Sequence, residues 1–535
     1  MPLYDSAVGQ IGGAVGRDVD TTLIPKAYFP NMKNIMKYGD FFGQRPGRTS
    51  YGSVSGIVIG YYHFKIGDYN KFLLFTTTGV CYRSSAGWTD VTGSELTGAI
   101  TNFISYCTVY DSATGTPYVV FSNGKDNIRK YTGTGNTADM SAWTSYKARF
   151  VLYYQGYLLA FHLTDGGVRY GFRFRSSDID LPNDTTGTNS KTYNMTKDQN
   201  ISDIVGVQYF DDYVAVFKTD CIYLLWLGNS DDQFTFDVAV HNIGLRAPRA
   251  VAKWKNGGLF FLGYDDVYYW ASPNSAPQGL TDKKINERLF KDTTAGNMNR
   301  AVMIYDQRYK KVKLYVPEGE YLNKVYCLDT VTSKWSWWIE ERLNITAVGS
   351  YLQDTIVSID DLTSVYGTID DMAGVQIDDL SGALKSNYPI LIEGDKDGNS
   401  WYEDEEKYND GNITIKSSIE TKDDIYETSG VPFSSDRSLG IRFEAKGFQA
   451  SGDRIYVYYS EDEGKTWTAI EDGLSLADFT AWTGYVSLTD EWAFYEAHVD
   501  VMTRKIRYKI ANEQGNSTFL LRNKIVPIIE EGDPE

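Results

Sequence analysis

Short apolar runs rich in β-branched and aromatic residues, cut by Gly, Asn and Asp, recur along most of the chain. They share one order. In 149–176 a run ending in Tyr153 and Tyr154 meets a polar turn, a more apolar run (YLLAFHL), a second turn (TDGG) and a third run (VRYGFRF). The same order is read in 71–92, 116–133, 204–228, 250–272 and 300–340. Long windows with apolar residues at i, i+3, i+4 and i+7 are few, so helices are not expected. Runs of this length and composition between turn residues predict strands, and three in succession predict a β-meander.

A single meander cannot bury both faces. A ring of meanders buries them against each other and leaves only short edges. The spacing of about 45–55 residues suits propeller blades. Six clusters, with room for one more in 345–405, predict a six- to seven-bladed β-propeller; tandem sandwiches and a solenoid are the competing all-β readings. The predicted organisation is an N-terminal arm leading into the propeller (1–50), the propeller (51–392), an acidic linker or loop (393–411, EGDKDGNSWYEDEEKYNDG) and a C-terminal β-sandwich (412–535) ending in a short mobile tail, EEGDPE. The sandwich strands are read in NITIKSSIETK, LGIRFEAKGF, RIYVYYS, AFYEAHVDVMTRKIRYKIA and TFLLRNKIVPII. Residues 178–200 form a loop longer than a turn.

Within 355–381 the unit Ile-Asp-Asp appears three times, at 359–361, 369–371 and 377–379. Clustered carboxylates suit calcium, which takes oxygen ligands. The spacings do not match the alternating ligands of a calcium loop, so a structural connection is the preferred reading.

Composition supports the β assignment and narrows the chemistry. Aromatics make up 15% of the 535 residues, with 41 Tyr, which favours pleated, half-buried surfaces. The formal net charge is −18. Gripping nucleic acid through its phosphates calls for a basic patch, and none stands out; an acidic surface suits a conduit past which DNA slides, or simply solubility. Cys81, Cys107, Cys221 and Cys327 are scattered, without a CxxC pair, and read as free thiols of a reducing compartment. The N-terminal residues lack the apolar core of a signal peptide, and no apolar stretch reaches the ~18 residues of a membrane-spanning helix.

His63, His162, His241 and His498 lie far apart, and no HExxH, nucleophile–His–Asp grouping, P-loop or GxGxxG follows a strand. No catalytic, cofactor-binding or metal-ligating residue is therefore singled out, and no cofactor is expected. One motif is well formed. Ser460 to Trp467 (SEDEGKTW) fits S-x-D-x-G-x-T-W and resembles the Asp-box of sialidases, a hairpin turn remote from their active site. It occurs once, outside the predicted propeller, and supports a hairpin rather than glycoside hydrolysis.

Several segments together resemble the tail hub or nozzle β-propeller proteins of short-tailed phages. They are DTTLIPKAYFPNMKNIMKYGDFFGQRPGRTSYGSV with its Arg45-Pro46-Gly47, FRFRSSDIDLPND (172–184), ISDIVGVQYFDDYVAVFKTDCIYLLW (201–226), NIGLRAPRAVAKWKNGGLFFLGYDDVYYW (242–270), with Asp266 where Gly is usual, and SKWSWW (333–338). The resemblance spans roughly 18–380 and lies in packing positions. It implies a virion tail protein, assembled in the host cytoplasm, that forms a homo-oligomeric ring, often a hexamer. Portal and adaptor proteins would sit above it, fibres or spikes would attach outside, and double-stranded DNA would pass through without sequence-specific binding. Two other classes stay open. A propeller glycosidase or polysaccharide lyase predicts convergent carboxylates at the central channel. A non-catalytic sugar- or protein-binding propeller predicts an aromatic or charged channel face.

Overall fold

A computed structural model describes residues 13–14, 28–38, 41–66, 69–84, 86–197, 201–228, 233–254, 257–281, 285–291, 293–331, 337–352, 388–422, 424–425, 436–447, 453–470, 473–475, 486–503, 505–513 and 518–530. The Ile-Asp-Asp repeats, most of SKWSWW and most of the C-terminal tail lie outside them.

The described chain is nearly all strand, and its antiparallel meanders form a β-propeller. Blades 1 to 5 are separate four-stranded sheets: 58–90, 105–139, 146–194, 204–241 and 251–279. Blade 6 runs through Val302–Asp306, Lys311–Glu318, Tyr321–Asp329 and Trp337–Glu341. Each predicted cluster thus falls within one blade, but the strands it left out differ: Val58–Ile66 and Ser105–Asp111 open blades 1 and 2 ahead of their clusters, while Ala138–Asp139, Thr192–Asn194, Phe234–His241 and Gln278–Gly279 close blades 2 to 5 beyond theirs. In blade 3 that strand, Thr192–Asn194, lies inside the expected long loop and pairs with Arg173–Arg175.

Blade 7 is built from both ends of the described chain. Ile345–Tyr351, Ile390–Asp395 and Asn399–Asp404 are completed by Gly47–Ser53, with Asp404 opposite Gly47 and Asn399 opposite Ser53. The segment 393–411 is therefore not an exposed linker, a correction to the reading from its charge. It carries two propeller strands, and its Glu393 and Glu403 are buried. Local composition shows the charge but not the distant cations that neutralise it.

Six blade seams are apolar. Phe75 meets Phe121 between blades 1 and 2, Phe217 meets Phe261 between 4 and 5, and Tyr61 packs with Ala347 and Ile392 between 7 and 1. Seams 2/3, 3/4 and 5/6 have similar clusters. The seam between blades 6 and 7 instead carries charge. Lys313 Nζ lies 2.5 Å from Glu403, 3.5 Å from Asp306 and 3.8 Å from Glu340. Arg342 contacts Glu340 at 2.8 Å, Glu393 at 3.0 Å and Glu403 at 2.6 Å. Tyr315 donates to Glu393 at 2.7 Å. The N-terminal segment enters this network: Arg48 reaches Glu393 at 2.9 Å and Asp410 at 3.1 Å, while Arg45 grips both Asp410 oxygens at 2.9 and 2.6 Å.

Arg45-Pro46-Gly47 thus has a mechanical role. A Cβ on Gly47 would stand 2.3 Å from the Asn409 carbonyl oxygen, so only glycine lets the two backbones approach.

The C-terminal region continues blade 6. Trp337–Glu341 pairs in parallel with Asn31–Lys33, which pairs with Ser417–Glu420, then Lys505–Asn512, Arg454–Ser460 and Thr468–Ala469. A second sheet orders Ile35–Tyr38, Phe41–Gln44, Leu520–Glu530, Asp436–Lys446, Ala493–Thr503 and Gly473–Ser475. Ile419, Val457 and Ile510 from the first sheet and Phe443, Tyr495 and Leu521 from the second share one cluster with Val325 and Trp338 of blade 6. The run AFYEAHVDVMTRKIRYKIA, expected as one strand, is two strands belonging to the two different sheets.

Replacing Arg45 by Ala leaves Asp410 buried with part of its compensation gone, and should cost about 3–5 kcal/mol in urea unfolding. Acid should act on the same seam. Burial alone pushes the Glu393 carboxyl up, but Arg342, Arg48 and Lys313 hold it at about 2. Burial likewise opposes ionisation of Glu340 and Asp410, yet Lys313 and Arg342 in the first case, Arg45 and Arg48 in the second, hold them well below the usual carboxylate range. Asp306 runs the other way, raised by burial. For the three depressed groups, stability is complete above the unfolded values of about 4 and is lost as pH falls towards 2. The urea midpoint should therefore drop between pH 5 and pH 3; a midpoint that holds level would contradict this charge assignment.

Candidate central channel

The first strand of each blade touches its neighbours in a ring around the axis. Carboxylates on these strands are few: Asp111 and Asp306, each at its strand's last residue. Asp111 accepts from the Ala113 N–H at 3.0 Å, and Asp306 from the Arg308 N–H at 3.1 Å beside Lys313. Asp306 shares Lys313 with Glu340 and Glu403 in the buried seam between blades 6 and 7.

Aromatic and cationic groups meet on the first strands and the residues that lead into them. The Tyr62 and Tyr106 rings lie 4.3 Å apart, and Tyr62 hydrogen-bonds Thr108 at 2.6 Å, joining blades 1 and 2. Tyr209 of blade 4 donates to the Tyr153 carbonyl of blade 3 and interacts electrostatically with Cys107 and Tyr62. Burial pushes the Tyr62 hydroxyl up to about 12.

Arg249, just before blade 5, crosses to distant blades. Its Nη1 donates to the Ile59 carbonyl of blade 1 at 3.0 Å, and its Nη2 to Thr346 of blade 7 at 3.2 Å and Arg300 at 3.5 Å. Its guanidinium stands 6.0 Å from the Phe103 ring centroid, and that of Arg149 stands 5.2 Å from the same ring. Burial lowers Arg249 to about 10, with Tyr106 the neighbour that opposes the shift. The residue is half-buried. Arg249 lies within NIGLRAPRAVAKW, and nothing in that run distinguishes it from a surface arginine.

The four histidines stay apart, as their spacing implied. His63 lies 2.7 Å from Asn70 in blade 1, and His498 lies 3.4 Å from Glu496 in the second C-terminal sheet. His162 sits at the bulge of blade 3 with a φ of 53° and Nδ1 2.9 Å from the Ile204 carbonyl. His241 ends blade 4. The four cysteines are free; Cys107, Cys221 and Cys327 are buried and Cys81 is half-buried. Among the described residues no group of three or more His, Cys, Asp or Glu is placed to hold a metal ion, and no helix is long and apolar enough to cross a membrane.

The SEDEGKTW motif forms the expected hairpin: Arg454–Ser460 pairs with Thr468–Ala469. Asp462 accepts from Thr466 Oγ1 at 2.6 Å, from the Thr466 N–H at 2.8 Å and from Ser460 Oγ at 2.8 Å. These bonds, led by the Thr466 hydroxyl, hold its carboxyl down at about 2. Gly464 supplies a φ of 82° that other residues adopt only with strain.

No family model matches the chain, and no curated protein does. Among solved structures the chain is similar to the WD40 domain of Neurospora crassa Pan2, at 8% identity and a TM-score of 0.37, over 69% of this chain and 97% of that one.

Asp462→Ala should unlock the hairpin without unfolding the molecule. The Thr466 and Gly464 amides should exchange faster by hydrogen-exchange NMR, while amides of blades 1 to 5 keep their protection. Unchanged exchange at Thr466 would show that the carboxylate does not hold the turn.

Proposed function

We propose that this chain is a non-catalytic structural protein of a viral tail, a hub or nozzle subunit whose work is done by interfaces. The observation that carries the reading is the centre of the ring, where Tyr62 meets Tyr106 and Arg249 ties blade 5 to blades 1 and 7, an arrangement that serves assembly. A channel bridged from blade 5 to blades 1 and 7 has no room for a DNA duplex. In this reading the duplex runs through a lumen enclosed by several copies, and the acidic excess of −18 keeps it from sticking.

The segments that resemble the phage tail proteins serve as framework, which suits a family defined by assembly rather than chemistry. Arg45-Pro46-Gly47 leads into the strand that closes the ring. We read the two C-terminal sheets as the β-sandwich, and with the blade loops they would supply contacts to portal or adaptor proteins and to fibres or spikes. The aromatic and cationic channel also favours a second reading, a propeller that binds a sugar or protein without cleaving it.

The mass of the purified chain, alone and with candidate portal or adaptor protein, followed by particle imaging, tests the assignment. A closed ring, most simply of six copies, is expected, either spontaneously or on adding the neighbour. A monomer that ignores those proteins but cuts a surface glycan would replace the tail reading with the glycosidase or lyase reading, and one that only binds a glycan would leave the second reading.

A further inference from the structure

One end of the propeller channel gathers positive charge in an acidic protein. Phe103 and Arg249 lie just before the starts of the first strands of blades 2 and 5, and Arg149, the fourth residue of Tyr146–Tyr154 in blade 3, lies in the half of its strand nearer the start. Because first strands of successive blades run the same way around a propeller, these starts share one end of the ring. Arg169 and Asp203 belong to the same group: Arg169 Nε donates to His162 at 3.1 Å and its Nη2 pairs with Asp203. Asp203 is the one carboxylate that acts on Arg149, and it is already held by Arg169. Among the described residues Arg249 is offset by no carboxylate; its partners are three backbone carbonyls, the Phe103 face and Tyr106.

Arg149 is the telling member. The residue is half-buried, and among the described residues its guanidinium donates no hydrogen bond and lies over the Phe103 ring, 5.2 Å from its centroid. A guanidinium has five N–H donors in a fork matched to the oxygens of a carboxylate or phosphate. Two half-buried cations lie over one buried phenyl ring, with only Asp203, shared with Arg169, beside Arg149 and among the described residues no carboxylate beside Arg249, so positive charge is in excess where burial penalises it. Burial lowers both arginines below their ordinary value, and Arg169 adds to the effect at Arg149. An anion between them would remove that penalty, and the Phe103 wall would strengthen the attraction by excluding water. Both arginines remain partly accessible, so an ion can reach them.

We propose that the channel mouth formed by Arg149, Arg249 and Phe103 is a binding site for a small tetrahedral oxyanion of the phosphate class, free or as the terminal group of a larger molecule. Arg149 offers its open fork, Arg249 supplies the second charge while tying the blades together, and the Tyr106 hydroxyl lies near Arg249. The site does not depend on the tail assignment, since it is argued from one chain.

The test is calorimetric titration of the full chain with inorganic phosphate at constant ionic strength, with chloride as the reference and the unfolding midpoint as a second readout. Phosphate should bind saturably and raise the midpoint with concentration. Arg149→Gln, which breaks no hydrogen bond to the described residues and should fold normally, should weaken binding by at least ~10-fold, as expected when a charge-assisted bidentate contact is lost. Exchanging Lys253, an exposed lysine, for Gln should leave binding unchanged. A second titration with adenosine monophosphate separates the sources: tighter binding than inorganic phosphate assigns the site to a terminal phosphate, weaker binding to the free ion. Absence of saturable phosphate binding up to about 10 mM, a range in which even weak millimolar sites register, would overturn the proposal. Equal affinity in Arg149→Gln would overturn it too.

Discussion

The fold depends on an ionic seam. Six boundaries between blades close on interlocking apolar side chains, which any blade of similar shape satisfies. The boundary between blades 6 and 7 closes on Lys313, Arg342, Arg48 and Arg45 set against Glu340, Glu393, Glu403 and Asp410, all buried. Desolvating so many charges consumes most of their mutual attraction, so the seam adds little net stability over an apolar one. What it adds is selectivity. A misplaced apolar strand loses some contact area, whereas a misplaced strand here strands several buried charges at once. The N-terminal strand therefore has one favourable position, opposite Asn399–Asp404, and the ring has one way to close.

The same segment removes the boundary between the propeller and the C-terminal region. Asn31–Lys33 hydrogen-bonds to blade 6 on one side and to Ser417–Glu420 on the other, while Phe41–Gln44 joins the second C-terminal sheet. One apolar cluster runs from Val325 and Trp338 into Phe443 and Tyr495. Two units that share a sheet and a core resist separation, and a load on one reaches the other through the hydrogen-bond ladder rather than through a linker.

Much of the propeller was legible because its information is local. Apolar runs and turn residues within some forty positions define a meander, and clusters such as 204–228 became blades with little revision. Pairing over hundreds of residues left no such trace. The acidity of 393–411 read as exposure because its cations, Arg45, Arg48 and Lys313, lie far away in sequence. Arg45-Pro46-Gly47 was visible as a motif, but its fit against Asn409 was not. The arginines of the channel were hidden for another reason: an arginine in a turn between strands looks solvent-facing until the ring brings seven such turns together. The SEDEGKTW hairpin, set by four neighbouring residues, was fully readable.

The closing strand also imposes an order on synthesis. Apart from the local pairing of Ile35–Tyr38 with Phe41–Gln44, the strands of residues 31–53 find their partners among 337–341, 399–420 and residues beyond 500. As the chain leaves the ribosome, blades 1 to 6 can form in turn, each against the one before. The N-terminal strands have no edge to join until several hundred residues have followed them. For that interval their outer edges are unpaired, and they carry Phe29, Met32, Ile35 and Phe42, side chains that end in the core. The cell must therefore carry an open ring with exposed, adhesive strand edges until translation is nearly done, and whatever shields those edges in the meantime shares in deciding how much protein matures.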